Sequence, residues 1–177
     1  MKEIVQKENP ALRRKTKEIP VEEIKSKKIQ TILKEMREAL NDKDYGIALA
    51  APQIGVSLKI FIVKYEGLEN IKQNEDINEV TLNATRKNVV YINPKIVKTS
   101  KKTDELEEAC LSVDGYFGIV TRHRQVTIEA YDENGNKFIR GGSGLLAQIF
   151  QHEIDHLNGV LYVDHAKNIQ KIETENE

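Results

Sequence analysis

Gly144-Leu145-Leu146-Ala147-Gln148-Ile149-Phe150-Gln151-His152-Glu153-Ile154-Asp155-His156-Leu157 is the stretch from which the rest of the chain is read. Its apolar first half predicts a buried helix. Residues four apart share a helix face, so His152 and His156 can point at one metal ion. Glu153 stands one position on, placed for a water at the metal rather than the metal itself. Two imidazoles and a carboxylate on a buried helix are costly without a partner. The alternative is a solvated helix that carries two histidines by chance. The chain has four histidines, and two of them fall here.

Two imidazoles leave such a centre one ligand short. The chain has a single cysteine, Cys110, in the segment Glu108-Ala109-Cys110-Leu111-Ser112, and it is the natural third candidate. A lone buried cysteine is more often an inert thiol. One cysteine cannot close an internal disulfide, which suits a reducing cytosol where a thiolate stays free to bind metal.

Length and composition bound the rest. The 177 residues suffice for one domain with a full hydrophobic core. The net charge of −1 implies no field that would draw nucleic acid or an anionic membrane. No apolar run approaches the roughly 20 residues of a bilayer span, and Met1–Gln6 lacks the apolar core of a secretory signal. The readings are a cytoplasmic protein with no direct nucleic-acid site, no membrane association and, by default, a monomeric state.

Apolar positions Ile24, Ile29, Ile32, Leu33, Met36 and Leu40 predict a helix over 21–41. Leu58–Val63 and Val89–Val97 read as strands. Val126–Tyr131, a turn at 132–136 and Lys137–Arg140 read as a hairpin, and Gly141–Gly144 as the turn before the histidine helix. Residues 66–88 lack periodicity and are expected to form a long surface loop; 166–177 are expected to fray. Helices separated by strands without regular alternation imply an α+β class. One domain over 1–177 is expected.

Three segments carry a family resemblance. Gly46-Ile47-Ala48-Leu49-Ala50-Ala51-Pro52-Gln53 resembles the G-x-G-L-A-A-x-Q segment of peptide deformylases. Glu108–Ser112 resembles their E-G-C-L-S segment, and His152–Leu157 matches H-E-x-D-H-L at every fixed position. The three stand in the family's order, and the resemblance runs from Asn9 to Asp164. It implies a central metal-binding helix surrounded by antiparallel β-sheets. It also implies removal of the formyl group from N-terminal formyl-methionine of nascent polypeptides, with the ribosome as the place of encounter. Iron(II) is the favoured ion, with zinc, nickel or cobalt as other occupants that thiolate and imidazole ligands suit.

Site roles follow. Cys110, His152 and His156 are the expected ligands. Glu153 is the proton carrier, and the Gln53 side-chain amide and Leu111 backbone N–H are the oxyanion donors. Without the resemblance Gln53 reads as an ordinary surface amide. Leu145, Gln148 and Ile149 extend the helix face that carries the histidines. With Ile47 opposite, they are expected to line a pocket for the methionine side chain. Asp155 is expected to hold a ligand histidine, and Glu108 to pair with Arg122. The chain departs from the family at Ala48 and Ala109, where glycines are usual beside the substrate backbone, and at Asp114, where proline is usual. Two alternatives stay open: a metallopeptidase or other amidohydrolase with the same centre, and a non-enzymatic peptide-binding relative with an altered cleft.

Overall fold

The computed structural model describes residues 2–64 and 88–172. Among these residues two α-helices, α1 (Lys27–Asn41) and α2 (Gly144–Leu157), lie among eight strands. These are β1 (Ala48–Ala50), β2 (Ile60–Lys64), β3 (Asn88–Thr99), β4 (Thr103–Cys110), β5 (Val113–His123), β6 (Gln125–Tyr131), β7 (Lys137–Ser143) and β8 (Lys167–Lys171). One sheet has the order β1-β2-β3-β6-β7 and the other β4-β5-β8. Every pairing between these strands is antiparallel, so the class is α+β.

The large sheet is covered on both faces, which is why β2 and the start of β3 are almost wholly apolar rather than alternating. Ile60, Ile62, Val90 and Ile92 face α1 and pack with Ile29, Leu33, Met36 and Leu40. Phe61, Val63, Val89 and Tyr91 face the other way, onto Leu146, Ala147, Phe150 and Leu157 of α2. Phe61 stacks on Tyr91 at 4.5 Å, and Phe150 meets Tyr91 edge-on at 5.4 Å. Gly142 lets β7 approach α2 closely: a Cβ there would stand 2.9 Å from Leu146 and 3.0 Å from Phe150.

The small sheet meets α2 from the other side. Val113 and Val120 of β5 join Leu12, Leu161 and Tyr162 in a separate cluster. The buried Gln151 fastens α2 to the end of β5. Its Oε1 accepts from His123 N at 3.0 Å and its Nε2 donates to His123 O at 3.0 Å. The C-terminal end of the helix is closed by Gly159 at φ 78°, where a Cβ would lie 2.7 Å from the Arg13 carbonyl.

Several boundaries differ from the sequence reading. The first helix starts at Lys27, not Val21, because Ser26 caps it through Ile29 N; Val21–Glu23 is a separate 3-10 turn. Gly141–Ser143 completes β7 instead of forming a turn. The expected loop at 66–88 lies outside the described residues except Asn88, which opens β3. The frayed tail at 166–177 is corrected over 167–171: these five exposed residues form β8, held by backbone pairing to Tyr116, Phe117 and Ile119 of β5. Residues 173–177 lie outside the described set. Among the described residues no helix is long and apolar enough to cross a membrane.

Candidate metal centre and its cleft

Cys110 ends β4, and His152 and His156 lie one turn apart on α2. The crossing of sheet and helix brings them together. One ligand atom from each lies within 4.8 Å of the others, and Cys110 Sγ stands 3.2 Å from His156 Nε2. Metal–sulfur and metal–nitrogen bonds of about 2.3 and 2.0–2.1 Å put tetrahedral ligands roughly 3.5 Å apart. The three residues therefore fit a divalent ion. His156 is buried, and burial together with the neighbouring cationic groups of His152 and Arg122 holds its pKa well below the ordinary histidine value. The neutral imidazole is the form that binds metal.

A charged network behind the helix orients His152, whereas His156 Nδ1 is buried without a hydrogen-bond partner. Arg122 grips Glu108 with two hydrogen bonds, Nε to Oε1 at 2.6 Å and Nη2 to Oε2 at 2.9 Å. Glu108 Oε2 also stands 3.0 Å from His152 Nδ1. Burial raises the Glu108 pKa, but the bonds from Arg122 and His152 outweigh it and hold the carboxyl at about 2. The expectation that Asp155 holds a ligand histidine is corrected. Asp155 Oδ2 accepts from Arg122 Nη1 at 2.7 Å, and the carboxylate on the histidine is Glu108. Position 155 points from the helix toward β5, whereas β4 carries Glu108 to the face of His152.

Glu153 is buried, and its Oε2 has no hydrogen-bond partner. Burial, reinforced by the negative charge of Glu108 and opposed by His152, raises its pKa to about 7. Gln53 is buried as well. Its Oε1 accepts from Ala50 N at 2.8 Å, which aims Nε2 at Ser112 Oγ, 3.2 Å away, and Cys110 Sγ, 3.6 Å away.

These groups open onto a cleft of about 310 Å3. Ile47, Ala48, Ala109, Leu145, Gln148 and Ile149 all line it, as do Gln53, Leu111 and Glu153. Ala48 is on β1 and Ala109 on β4, so the two alanines face the cleft from different sheets. Gln148 is tied across to β4 by a 2.7 Å bond from its Nε2 to the Glu107 carbonyl. Asp155 and Arg122 are not among the lining residues.

Three residues near the site had no legible signal. Val5 N donates to the Gln53 carbonyl at 2.9 Å. Gln6 Nε2 donates to the Leu111 carbonyl at 3.1 Å, and its Oε1 accepts from Asp114 N at 3.3 Å. The Tyr162 ring lies 6.3 Å from His152 and nearly parallel to it, and its hydroxyl donates to the Tyr116 carbonyl at 3.0 Å. The one available hint was Asp114, whose N–H a proline would lack.

Known proteins resemble the chain along most of its length. The polypeptide deformylase family model matches residues 1–172. The chain is 40% identical over 171 residues to the chloroplastic peptide deformylase 1A of Solanum lycopersicum, covering 93% of this chain and 59% of that protein. It is 38% identical to the peptide deformylase of Dehalococcoides mccartyi strain CBDB1, covering 90% of this chain and 82% of the relative. The crystal structure of a peptide deformylase from Legionella pneumophila superposes with a TM-score of 0.77 at 34% identity, covering 95% of this chain and 87% of the other.

Proposed function

The chain belongs to the peptide deformylase family, metal-dependent hydrolases that remove the N-terminal formyl group from nascent polypeptides, and we propose that the cleft beside Cys110, His152 and His156 carries this reaction. The observation that carries the assignment is the conjunction at the cleft floor. A thiolate and two imidazoles can meet at one ion, beside a buried carboxylate with an unpartnered oxygen. In this reading α2 is a central metal-binding helix. On the family resemblance iron(II) is the native ion and zinc a less active occupant; thiolate and imidazole donors suit both, and nickel and cobalt as well. The bound ion supplies Lewis acidity, which polarises a carbonyl and makes water a stronger acid.

The chain's own groups then divide the work. Glu153, buried beside the ligands with one carboxylate oxygen unpartnered, takes the proton of the attacking water and passes it to the departing amine. The Gln53 amide nitrogen and the Leu111 N–H donate to the oxyanion that develops on the formyl oxygen. The bond from Ala50 N presets the Gln53 amide, and losing one such donor typically costs about 3 kcal/mol of barrier. Glu108 and Arg122 fix the ring of His152. Ile47, Leu145, Gln148 and Ile149 receive the methionine side chain, and Ala48 and Ala109 flank the peptide backbone.

We further propose a single domain over residues 1–177 that acts as a monomer in the cytoplasm, meeting formylated chains as they leave the ribosome. The test is formate release from formyl-methionyl-alanine by protein loaded with iron(II) without oxygen, set against cleavage of an unblocked peptide. Formate release alone is expected. Cleavage of the unblocked peptide without formate would favour a peptidase, and turnover of neither would favour a binding protein.

A further inference from the structure

A second cavity, of about 660 Å3, adjoins the catalytic cleft and shares Leu145 and Gln148 with it. The cleft passes along β4 and α2 into the second cavity, which the corners at Ser100–Lys102 and His123–Gln125 close at its far end. Among the described residues the small sheet pairs β4 only with β5, and the other edge of β4 meets α2 where Gln148 Nε2 donates to the Glu107 carbonyl. Along that edge the cleft takes Glu107, Glu108 and Ala109, and the second cavity takes Asp104 and Leu106. Along α2 the cleft takes Ile149 and His152, and the second cavity takes Gly144. The bond from Gln148 to the Glu107 carbonyl ties the two walls where the cavities meet.

The far cavity differs from the cleft in charge. Lys101, Lys102 and Arg124 line it. Arg124 is neutralised by Asp104, 2.6 Å away, and Lys167 holds the neighbouring Glu105 at 3.1 Å. Lys101 and Lys102 are exposed and have no ion pair among the described residues. The near half carries the opposite sign at Glu107.

We propose that this cavity is a distal substrate subsite, which takes the fourth to sixth residues of the formylated chain and favours acidic side chains there. The proposal rests on the deformylase reading. From His152 to Leu145 is seven residues of helix, about 10 Å. An extended backbone covers that in about three residues at roughly 3.3 Å each, so it draws level with the far end of the methionine pocket, Leu145, at the fourth residue. From Ala109 to Asp104 along β4 is about 17 Å on the same scale, which brings the fifth and sixth residues to the Asp104 wall of the cavity that the Lys101 and Lys102 side chains also line. An acidic residue at position two or three lies nearer Glu107 and gains nothing.

The test compares three amides on the iron(II)-loaded enzyme: formyl-Met-Ala, formyl-Met-Ala-Ala-Ala-Asp-Asp and formyl-Met-Ala-Ala-Ala-Lys-Lys. At low ionic strength the acidic hexapeptide is expected to have a kcat/KM about three- to tenfold above the basic one, through KM. The gap should close at high salt. The double variant Lys101→Glu, Lys102→Glu should reverse the order while leaving the dipeptide unchanged, which also shows that the variant is folded. Equal kcat/KM for the two hexapeptides, or a preference that survives the double variant, overturns the subsite and leaves the activity intact. Absence of formate from the dipeptide overturns the activity and the subsite with it.

Discussion

Glu108 Oε2 stands 3.0 Å from His152 Nδ1 while both carboxylate oxygens also accept from Arg122. One carboxylate from β4 thus orients a ligand candidate on α2 and neutralises a buried guanidinium from β5. Glu108→Gln keeps the shape and removes the charge. Metal affinity is expected to fall about 10- to 100-fold, read by competition with a chromogenic chelator. The same carboxyl has a pKa depressed to about 2 from an ordinary 4.5. Its stabilisation is therefore present above about pH 4.5 and lost as the pH falls through 2. Acid unfolding of the metal-free parent should show that loss, and Glu108→Gln should flatten it. An unchanged metal affinity would remove Glu108 from the site's support.

Glu153→Gln separates proton transfer from metal binding. The variant should retain its ion, and turnover should drop by about 10²- to 10⁴-fold. In the metal-free protein the sign of the stability effect is the reverse of that for Glu108. The folded pKa of about 7 lies above the ordinary 4.5, so the carboxyl's contribution is present below 4.5 and lost as the pH rises through 7. Metal-free Glu153→Gln should therefore be more stable than metal-free parent at pH 8, by about 3 kcal/mol. The difference should vanish below pH 4.5. Urea unfolding at the two pH values measures it. Loss of metal with turnover per bound ion preserved would assign Glu153 to the ligand set instead.

What the sequence discloses depends on where its information lies. The runs Ile60–Val63 and Val89–Ile92 read as strands because both faces are buried, and no competing period obscures them. Strand β4, Thr-Asp-Glu-Leu-Glu-Glu-Ala-Cys, hides its nature. It is an edge strand whose charged side chains mostly reach solvent, so only Asp104, Leu106, Glu108 and Cys110 are even partly buried. Strand β8 has five exposed residues and is held by backbone pairing, which leaves no trace in composition. The site divides the same way. His152 and His156 are legible from helical spacing, and Cys110 by being unique. The exchange of partners between Asp155 and Glu108 depends on which strand passes the helix, and spacing along one element does not encode that. Gln6 meets Leu111 across 105 residues through a polar side chain, with no periodic pattern to mark it.

Ala48 and Ala109 stand where the family's segments carry glycine, and both line the cleft. The double variant Ala48→Gly, Ala109→Gly removes two methyl groups from its walls. It should improve binding of formyl-methionyl peptides with bulky second residues and leave metal content unchanged. Its melting temperature should fall slightly, since glycine adds freedom to the unfolded chain at roughly 0.4–1 kcal/mol per site. Selectivity identical to the parent, measured as kcat/KM for small against bulky second residues, would mean that the methyls do not restrict the peptide.

Gln6 and Asp114 form the pair that should tune the oxyanion donors. Val5 holds the Gln53 backbone, and Gln6 bridges the Leu111 carbonyl and the Asp114 N–H. Two adjacent residues thus connect the segments that carry both donors. The bridge uses an N–H that proline, usual at this point in the family, would lack. These bonds are exposed, so their contribution to global stability is small, and their effect is expected in geometry instead. Gln6→Ala should lower kcat about three- to tenfold with KM and metal content little changed, because a donor that drifts matters most to the charge formed in the transition state. Asp114→Pro removes the other end of the bridge while keeping a residue that the family accepts. Combining the two should add little to either alone, since both cut one connection. Steady-state kinetics on formyl-methionyl-alanine for the parent, the two single variants and the double variant closes the cycle. Strictly additive losses would mean that Gln6 and Asp114 act apart. Unchanged kcat in both single variants would mean that the turn at Leu111 holds its shape without them.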